Sequence, residues 1–495
     1  SLDSVHSRRG RRPHGDALSD ARIQSGPYPV AARRDPTHQL TPMLHITLLL
    51  TATTFCGADW PTFRGNAART GASKTELSFP LKEEWVHKSS GRPQNAWPGP
   101  ARHDLYNKVV NLTPRLWFDR AFYVSIADGR LFFGSSADEQ IHCLDAETGE
   151  ELWSYYTEAP VRFAPTIVGG KVIAGSDDGV VYCLRASNGE LVWRERVAPE
   201  DQRLPGNGRM ISLWPVRTGV VVSNGVAYVT AGLFPSEGSY VAALKVSTGD
   251  TVWKNSYDDM APQGYLLASK DHLFVPASRS TPYVFDRRDG KRLRQLGGNS
   301  GTFAIVANDD LVFGPGKTGD MTEASGSGAQ IASFKGQHMI VTRGVSYIHT
   351  TNELSALKRE EFVSLTKERG ELNKRRGELT SSLPNLSGAD KAKAERELKR
   401  SAERLGEIEV SIRECILWRR VCDEPLDVIL AGDALIAGGE DYIAAYAARD
   451  GQKLWTAPVD GRAYGLAADD GRLYVSTDTG AIHCFGNPSE EEGNK

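Results

Sequence analysis

Three arginines, Arg162, Arg217 and Arg462, each stand just ahead of a short apolar run. Brought to one place, such groups would bind an anion such as a carboxylate or a sugar acid, because the planar guanidinium offers two parallel donors. The plainer expectation is that each bridges to a neighbouring acid. Trp214, Gln263, Tyr265, Asp427 and Tyr464 occupy comparable places and complete a candidate ligand face. A second polar set, including Asp138, Asp177, Asp178, Glu440 and Asp478, lies in turns. Asp there hydrogen-bonds its own turn backbone, so turn building is its expected role. These acids lack the spacing of a calcium loop. No catalytic residue and no metal ligand is assigned.

Cys143, Cys183 and Cys484 recur at a position that holds Ala243, Ala356 and Ala445 elsewhere, which marks small buried residues rather than a disulfide set. Cys415 and Cys422 straddle Trp418 and could pair. No CxxC or Cys/His metal spacing occurs.

A repeat must position all of these groups. The copies read LDAETGEELW (Leu144 to Trp153), LRASNGELVW (Leu184 to Trp193), LKVSTGDTVW (Leu244 to Trp253), FDRRDGKRLR (Phe285 to Arg294) and YAARDGQKLW (Tyr446 to Trp455). A period of about forty residues made of short strands predicts a β-propeller. The cleanest unit, Ala164 to Val197, divides at GG, DDG and NG turn signals into four antiparallel strands. The Trp on the outer strand is expected to wedge between neighbouring blades, which gives Trp85, Trp153, Trp193, Trp253, Trp418 and Trp455 structural roles. Counting second-to-third strand pairs predicts an all-β, eight-bladed propeller, with seven blades as the alternative. The strand bearing Trp85 is expected to complete the last blade, leaving no open edge. Loops from the fourth strand to the next first strand, and from second to third, would share one face. The candidate ligand residues fall there.

One unit is interrupted. Between ELSALKR and ECILWRR, residues 358–414 are charged, with Leu365, Leu372 and Leu379 spaced by seven and then Leu398, Leu405 and Ile412 likewise. This predicts a coiled-coil-like helical hairpin with mirror-order pairing, dividing the propeller into residues 59–357 and 415–487. Two helices of roughly 20 residues each would project about 30 Å.

The net charge of -3 provides no basic field, which sets nucleic-acid partners aside. Residues 1–42 read as a disordered or mis-assigned extension, and 488–495 as a disordered tail. MLHITLLLTATTFCGAD, from Met43, reads as an export signal over 43–58, its apolar run too short to span a bilayer. A periplasmic or cell-envelope location is therefore expected.

The AxDxxTGxxxW-type repeat resembles that of the pyrroloquinoline quinone (PQQ) repeat propellers. These include quinoprotein alcohol dehydrogenases and the propeller lipoprotein of the outer-membrane assembly machine. ADWPTFRGNAARTG (Ala58 to Gly71) is similar to the opening of exported bacterial members, and the likeness covers about residues 58–487. The dehydrogenases carry PQQ with calcium, an adjacent Cys-Cys disulfide and an aspartate base, whereas no two cysteines are neighbours here. The resemblance implies first a non-catalytic binding or assembly scaffold, with protein partners on the propeller face or the helical hairpin. The alternatives are a PQQ-dependent oxidoreductase and the accessory half of a larger enzyme.

Overall fold

The turn of each repeat is held by its own side chains. In the first copy Asp145 Oδ1 accepts the amides of Glu147 and Thr148, both at 2.9 Å, and Gly149 follows with φ +73°. This turn joins strand Gln140–Asp145 to strand Glu151–Tyr156, with a register shift beside the Cys143–Trp153 pair. An extra residue at such a point bends the strand and re-aims its side chain. Trp153 accordingly leaves its own sheet and donates Nε1 to Ala186 O of the next unit at 3.0 Å. Gly189 of that next turn lies so near that a Cβ would sit 2.7 Å from the ring.

The same relation recurs along the chain. Trp85 reaches Ala146 O and Gly149, Trp193 reaches Val246 O and Gly249, Trp253 reaches Arg287 O and Gly290, and Trp418 reaches Ala448 O and Gly451. Glycine and tryptophan of one copy therefore serve opposite neighbours. The small residues have a matching reason. Cys143, Cys183, Cys484, Ala243, Ala356 and Ala445 are the cross-strand partners of Trp153, Trp193, Trp85, Trp253, Trp418 and Trp455. A larger side chain there would crowd the indole. The cysteines are free, Cys415 and Cys422 included.

The computed structural model describes residues 60–97, 118–206, 208–277, 280–315 and 319–487. The chain divides between Phe55 and Cys56, and every described residue belongs to Cys56–Lys495. The extension 1–42, the export signal at 43–58 and the tail 488–495 lie outside the described residues. Among the described residues, six four-stranded antiparallel sheets run in chain order from Val124–Ala127 to Ile416–Val421. In an eight-stranded sheet, the long strand Lys453–Asp469 serves two further four-stranded units. The second of these is completed by Lys82–Lys88, which pairs antiparallel with Ala481–Gly486 and sets Trp85 opposite Cys484.

The first strands of these sheets converge on one segment near the N-terminus. Trp60 bridges Ile126, Pro61 O accepts from Ile167 N, Ala67 O from Ala268 N and Ala68 O from Val306 N. Ala72 and Ser73 then pair in parallel with Leu430 and Ala431. Two buried arginines anchor the segment. Arg69 donates to Leu266 O, Val220 O, Phe63 O and Thr62 Oγ1, and Arg64 to Asp427, Val428 O and Arg69 O. Burial lowers the Arg69 pKa to about 10, so it stays charged at neutral pH, with backbone carbonyls accepting its protons. This segment thus ties the first strands of several sheets together.

The interruption forms helix α1 (Arg359–Ser382) and helix α2 (Gly388–Glu414). Both are longer than expected from the leucine spacing. They run antiparallel, cross-linked by Arg369–Glu409, Arg375–Glu397 and Arg404–Glu368. Where the repeat would place tryptophan, the preceding sheet has Ala332. Phe362 of α1 and Cys415 pack into the space, beside a buried Arg359–Glu323 ion pair. Among the described residues, no helix is long and apolar enough to cross a membrane.

Candidate functional site

Where the first strands begin, the Thr62–Asn66 stretch meets the loops of one face and leaves a cavity of about 240 Å³. Its walls are aromatic. Phe63 stacks on Tyr265 with centroids 3.6 Å apart, Tyr123 meets Phe63 edge-on at 5.3 Å, and Phe303, Phe118 and Tyr464 complete the rim. Polar groups are few and held in place. Arg64 Nη1 pairs with Asp427 Oδ1 at 2.9 Å and its guanidinium lies 5.2 Å from the Phe303 centroid. Burial raises the Asp427 carboxyl pKa, and Arg64 with the Val428 amide opposes the shift. Arg120 lies over the Tyr464 ring and donates to its hydroxyl at 3.0 Å.

His338 also lines the cavity. It stands opposite His349 on adjacent strands, with Nδ1 to Nδ1 at 3.2 Å, and His349 Nε2 is 2.7 Å from Glu424 O. Burial pushes the His349 pKa down to about 4, and burial, His349 and Arg64 hold His338 well below its ordinary value. Both imidazoles are neutral at pH 7.

Of the residues expected to form a ligand face, Tyr265, Asp427 and Tyr464 line this cavity; the other five do not. Arg162 is buried between Asp177 at 2.7 Å and Asp119 at 3.0 Å, and Arg217 binds the other oxygen of Asp177 at 2.6 Å. The anion these arginines meet is internal. Asp177, read from sequence as a turn acid, is the centre of that network, which also anchors the 94–97 stretch through Ala96 N to Asp119. Arg462 is exposed and pairs with Glu440, so it does not join the other two. Gln263 is buried and accepts the Trp97 indole at 2.6 Å. Trp214 is a core residue between the second and third sheets, its indole donating to Glu237 O.

The residues sequence reasoning missed are Phe63, Arg64, Phe303 and His338. Arg64 and Phe63 lie in the stretch read as an opening segment, and His338 begins a strand in the least regular part of the repeat. A Trp–x–x–Phe–Arg cluster ahead of the first blade was the available signal.

Two stretches, 118–213 and 439–492, match the family model described as outer membrane protein assembly factor BamB. That model is of the PQQ-repeat type. The outer membrane protein assembly factor BamB of Escherichia coli (strain K12) is 28% identical over 118 residues, covering 22% of this chain and 27% of that protein. The quinohemoprotein alcohol dehydrogenase ADH IIB of Pseudomonas putida is 36% identical over 108 residues, covering 20% of this chain. The matched part spans only 14% of that dehydrogenase. Over the whole fold, the crystal structure of quinohemoprotein alcohol dehydrogenase from Comamonas testosteroni superposes with a TM-score of 0.55 at 13% identity. It covers 87% of this chain and 81% of that one, a likeness of fold. The chain thus has a β-propeller fold and is similar in sequence, over short stretches, to assembly factors and dehydrogenases alike.

At this site the chain's own charged groups are largely engaged with one another and with backbone carbonyls. The free cysteines are dispersed, and among the described residues no three His, Cys, Asp or Glu side chains are grouped to hold a metal ion. Arg64 and Arg69 have their donors taken by inner-strand carbonyls and Asp427.

Proposed function

We propose that this chain is an exported, eight-bladed PQQ-type propeller that acts as a non-catalytic binding or protein-assembly scaffold. The observation that carries this reading is the course of the opening segment. Residues 60–73 contact the first strands of successive sheets, leaving ligand contact to the faces and to cavities such as the aromatic one beside Phe63. Closure into a ring is supported by Lys82–Lys88 in the last sheet together with the Trp85 contact to Ala146 in the first. Export is supported by the signal-like run at 43–58, and protein partners by the short match to the assembly factor. A scaffold of this kind offers its rigid face to other proteins, with the helical hairpin as a lateral arm.

The test is titration of the purified protein with PQQ and calcium, followed by dye reduction with alcohols and sugars. The scaffold reading expects no stoichiometric uptake and no turnover. Tight uptake with dye reduction would replace it with the oxidoreductase reading. A parallel capture of envelope proteins with the full chain and with one lacking 363–411 assigns partners to the face or to the arm.

A further inference from the structure

The chain of hydrogen bonds behind His338 fixes which of its nitrogens carries a proton. Glu424 O, a carbonyl oxygen, can only accept, so the proton at 2.7 Å belongs to His349 Nε2. A neutral His349 then has a bare Nδ1, which acts as the acceptor in the 3.2 Å contact between the two Nδ1 atoms. The proton between them belongs to His338 Nδ1. A neutral His338 is left with an unprotonated Nε2, which makes no hydrogen bond among the described residues, on a ring that lines the cavity. The two rings are nearly parallel, at 19°, and Phe303 meets His338 edge-on at 85°, so the imidazole is gripped from both sides.

The rest of the cavity supplies the complement of a sugar ring. Phe63, Tyr265 and Phe303 present apolar surface, while Asp427, Gln337 and the Tyr464 hydroxyl lie among them. Arg64 is paired with Asp427, and Arg120, the other cation of the lining, is engaged by the Tyr464 ring and hydroxyl, so neither guanidinium is held open for an anion. The volume of about 240 Å³ is below the roughly 300–1,000 Å³ of a drug-sized site, which limits the guest to about one ring.

We propose that this cavity binds a neutral carbohydrate ring, with His338 Nε2 accepting a hydrogen bond from a sugar hydroxyl. The inference is independent of the scaffold reading, since a propeller with or without protein partners could hold such a ligand.

Two measurements test it. The first is a long-range ¹H–¹⁵N correlation spectrum of the histidine-labelled full protein at pH 7. The expected result is an Nδ1–H tautomer for His338 and an Nε2–H tautomer for His349, both neutral; a cationic or Nε2–H His338 overturns the proposal. The second is calorimetric titration with glucose, galactose, mannose, N-acetylglucosamine and their β-1,4-linked dimers. Saturable one-to-one binding of at least one, weakened tenfold or more by a folded His338→Phe variant, is expected. No saturable binding by any of them, or equal binding by the variant, refutes it. Should the variant fold poorly, a change in the His338 Nε2 resonance of the unaltered protein on adding sugar decides the question. Absence of PQQ uptake leaves this test untouched, so its failure and that of the scaffold reading are separable.

Discussion

At the scale of single residues, stability is shared between side chains belonging to different repeats. Trp193 and Gly249 are partners although each belongs to its own copy of the motif. Trp193→Phe removes the donor to Val246 O and leaves a buried carbonyl, a cost of about 1–3 kcal/mol. Gly249→Ala puts a Cβ 2.8 Å from the indole at φ +80°, and should cost at least as much. In urea unfolding, the combination of Gly249→Ala with Trp193→Ala should be less damaging than the sum, because removing the indole opens the space. Strict additivity would show that the two do not touch. The buried histidines give a second prediction. The His349 pKa is about 4 in the folded protein against about 6.5 unfolded, so only the unfolded chain takes up a proton in that interval. Stability should fall as pH drops from about 6.5 towards about 4, by on the order of 3 kcal/mol. His338, facing Arg64, His349 and Phe303, contributes in the same direction. His349→Leu should flatten that slope; an unchanged profile would assign the acid sensitivity to other groups.

At the scale of elements, the repeat was legible because its turn chemistry is local. Asp145, Thr148 and Gly149 build their turn without help, and the Cys/Ala position betrays a neighbour that needs room. What was not legible were contacts with no periodic sign. Arg64 and Asp427 are 363 positions apart, and although the Trp60–Arg64 cluster stands out, nothing in it names Asp427 as the partner. Asp177 reads as a turn acid because it sits in a turn; only the fold brings Arg162 and Arg217 to it. The helical hairpin shows the same division. Its leucine spacing announced two helices, but their footing depends on Ala332 and on Arg359 meeting Glu323, a pair with side chains 6% and 1% exposed. Arg359→Met strands that carboxylate and should cost roughly 3–5 kcal/mol, whereas pairing it with Glu323→Leu should restore most of the loss. Arg404→Ala, on the exposed part of the arm, should leave the melting temperature unchanged. Equal effects from Arg359 and Arg404 variants would mean that the footing carries no special weight.

At the scale of the whole molecule, both ends of the described chain meet in one sheet, and the stretch before Trp85 contacts the first strands of others. A chain beginning at residue 89 would therefore lose its last outer strand and the segment tying those strands together. It should form oligomers through the exposed Ala481–Gly486 edge. Size-exclusion chromatography and hydrogen exchange at those amides measure this directly; a monomer with protected amides would contradict the arrangement. Supplying residues 60–88 as a separate peptide should restore protection in part.

The same segment also sets the order of events during biosynthesis. Residues 60–73 are synthesised early, yet their partners extend to Val428 and Ala431, and Lys82–Lys88 waits for Ala481–Gly486. A ribosome delivers these partners many seconds later. Trp60 and Arg69 can meet Ile126, Val220 and Leu266 sooner, but until then Arg64 lacks Asp427 and Val428 O, and the nascent polypeptide cannot complete its fold. Contacts of such long sequence separation slow the final step. The closing event of folding is thus the seating of Arg64, Ala72–Ser73 and Lys82–Lys88 against strands made last.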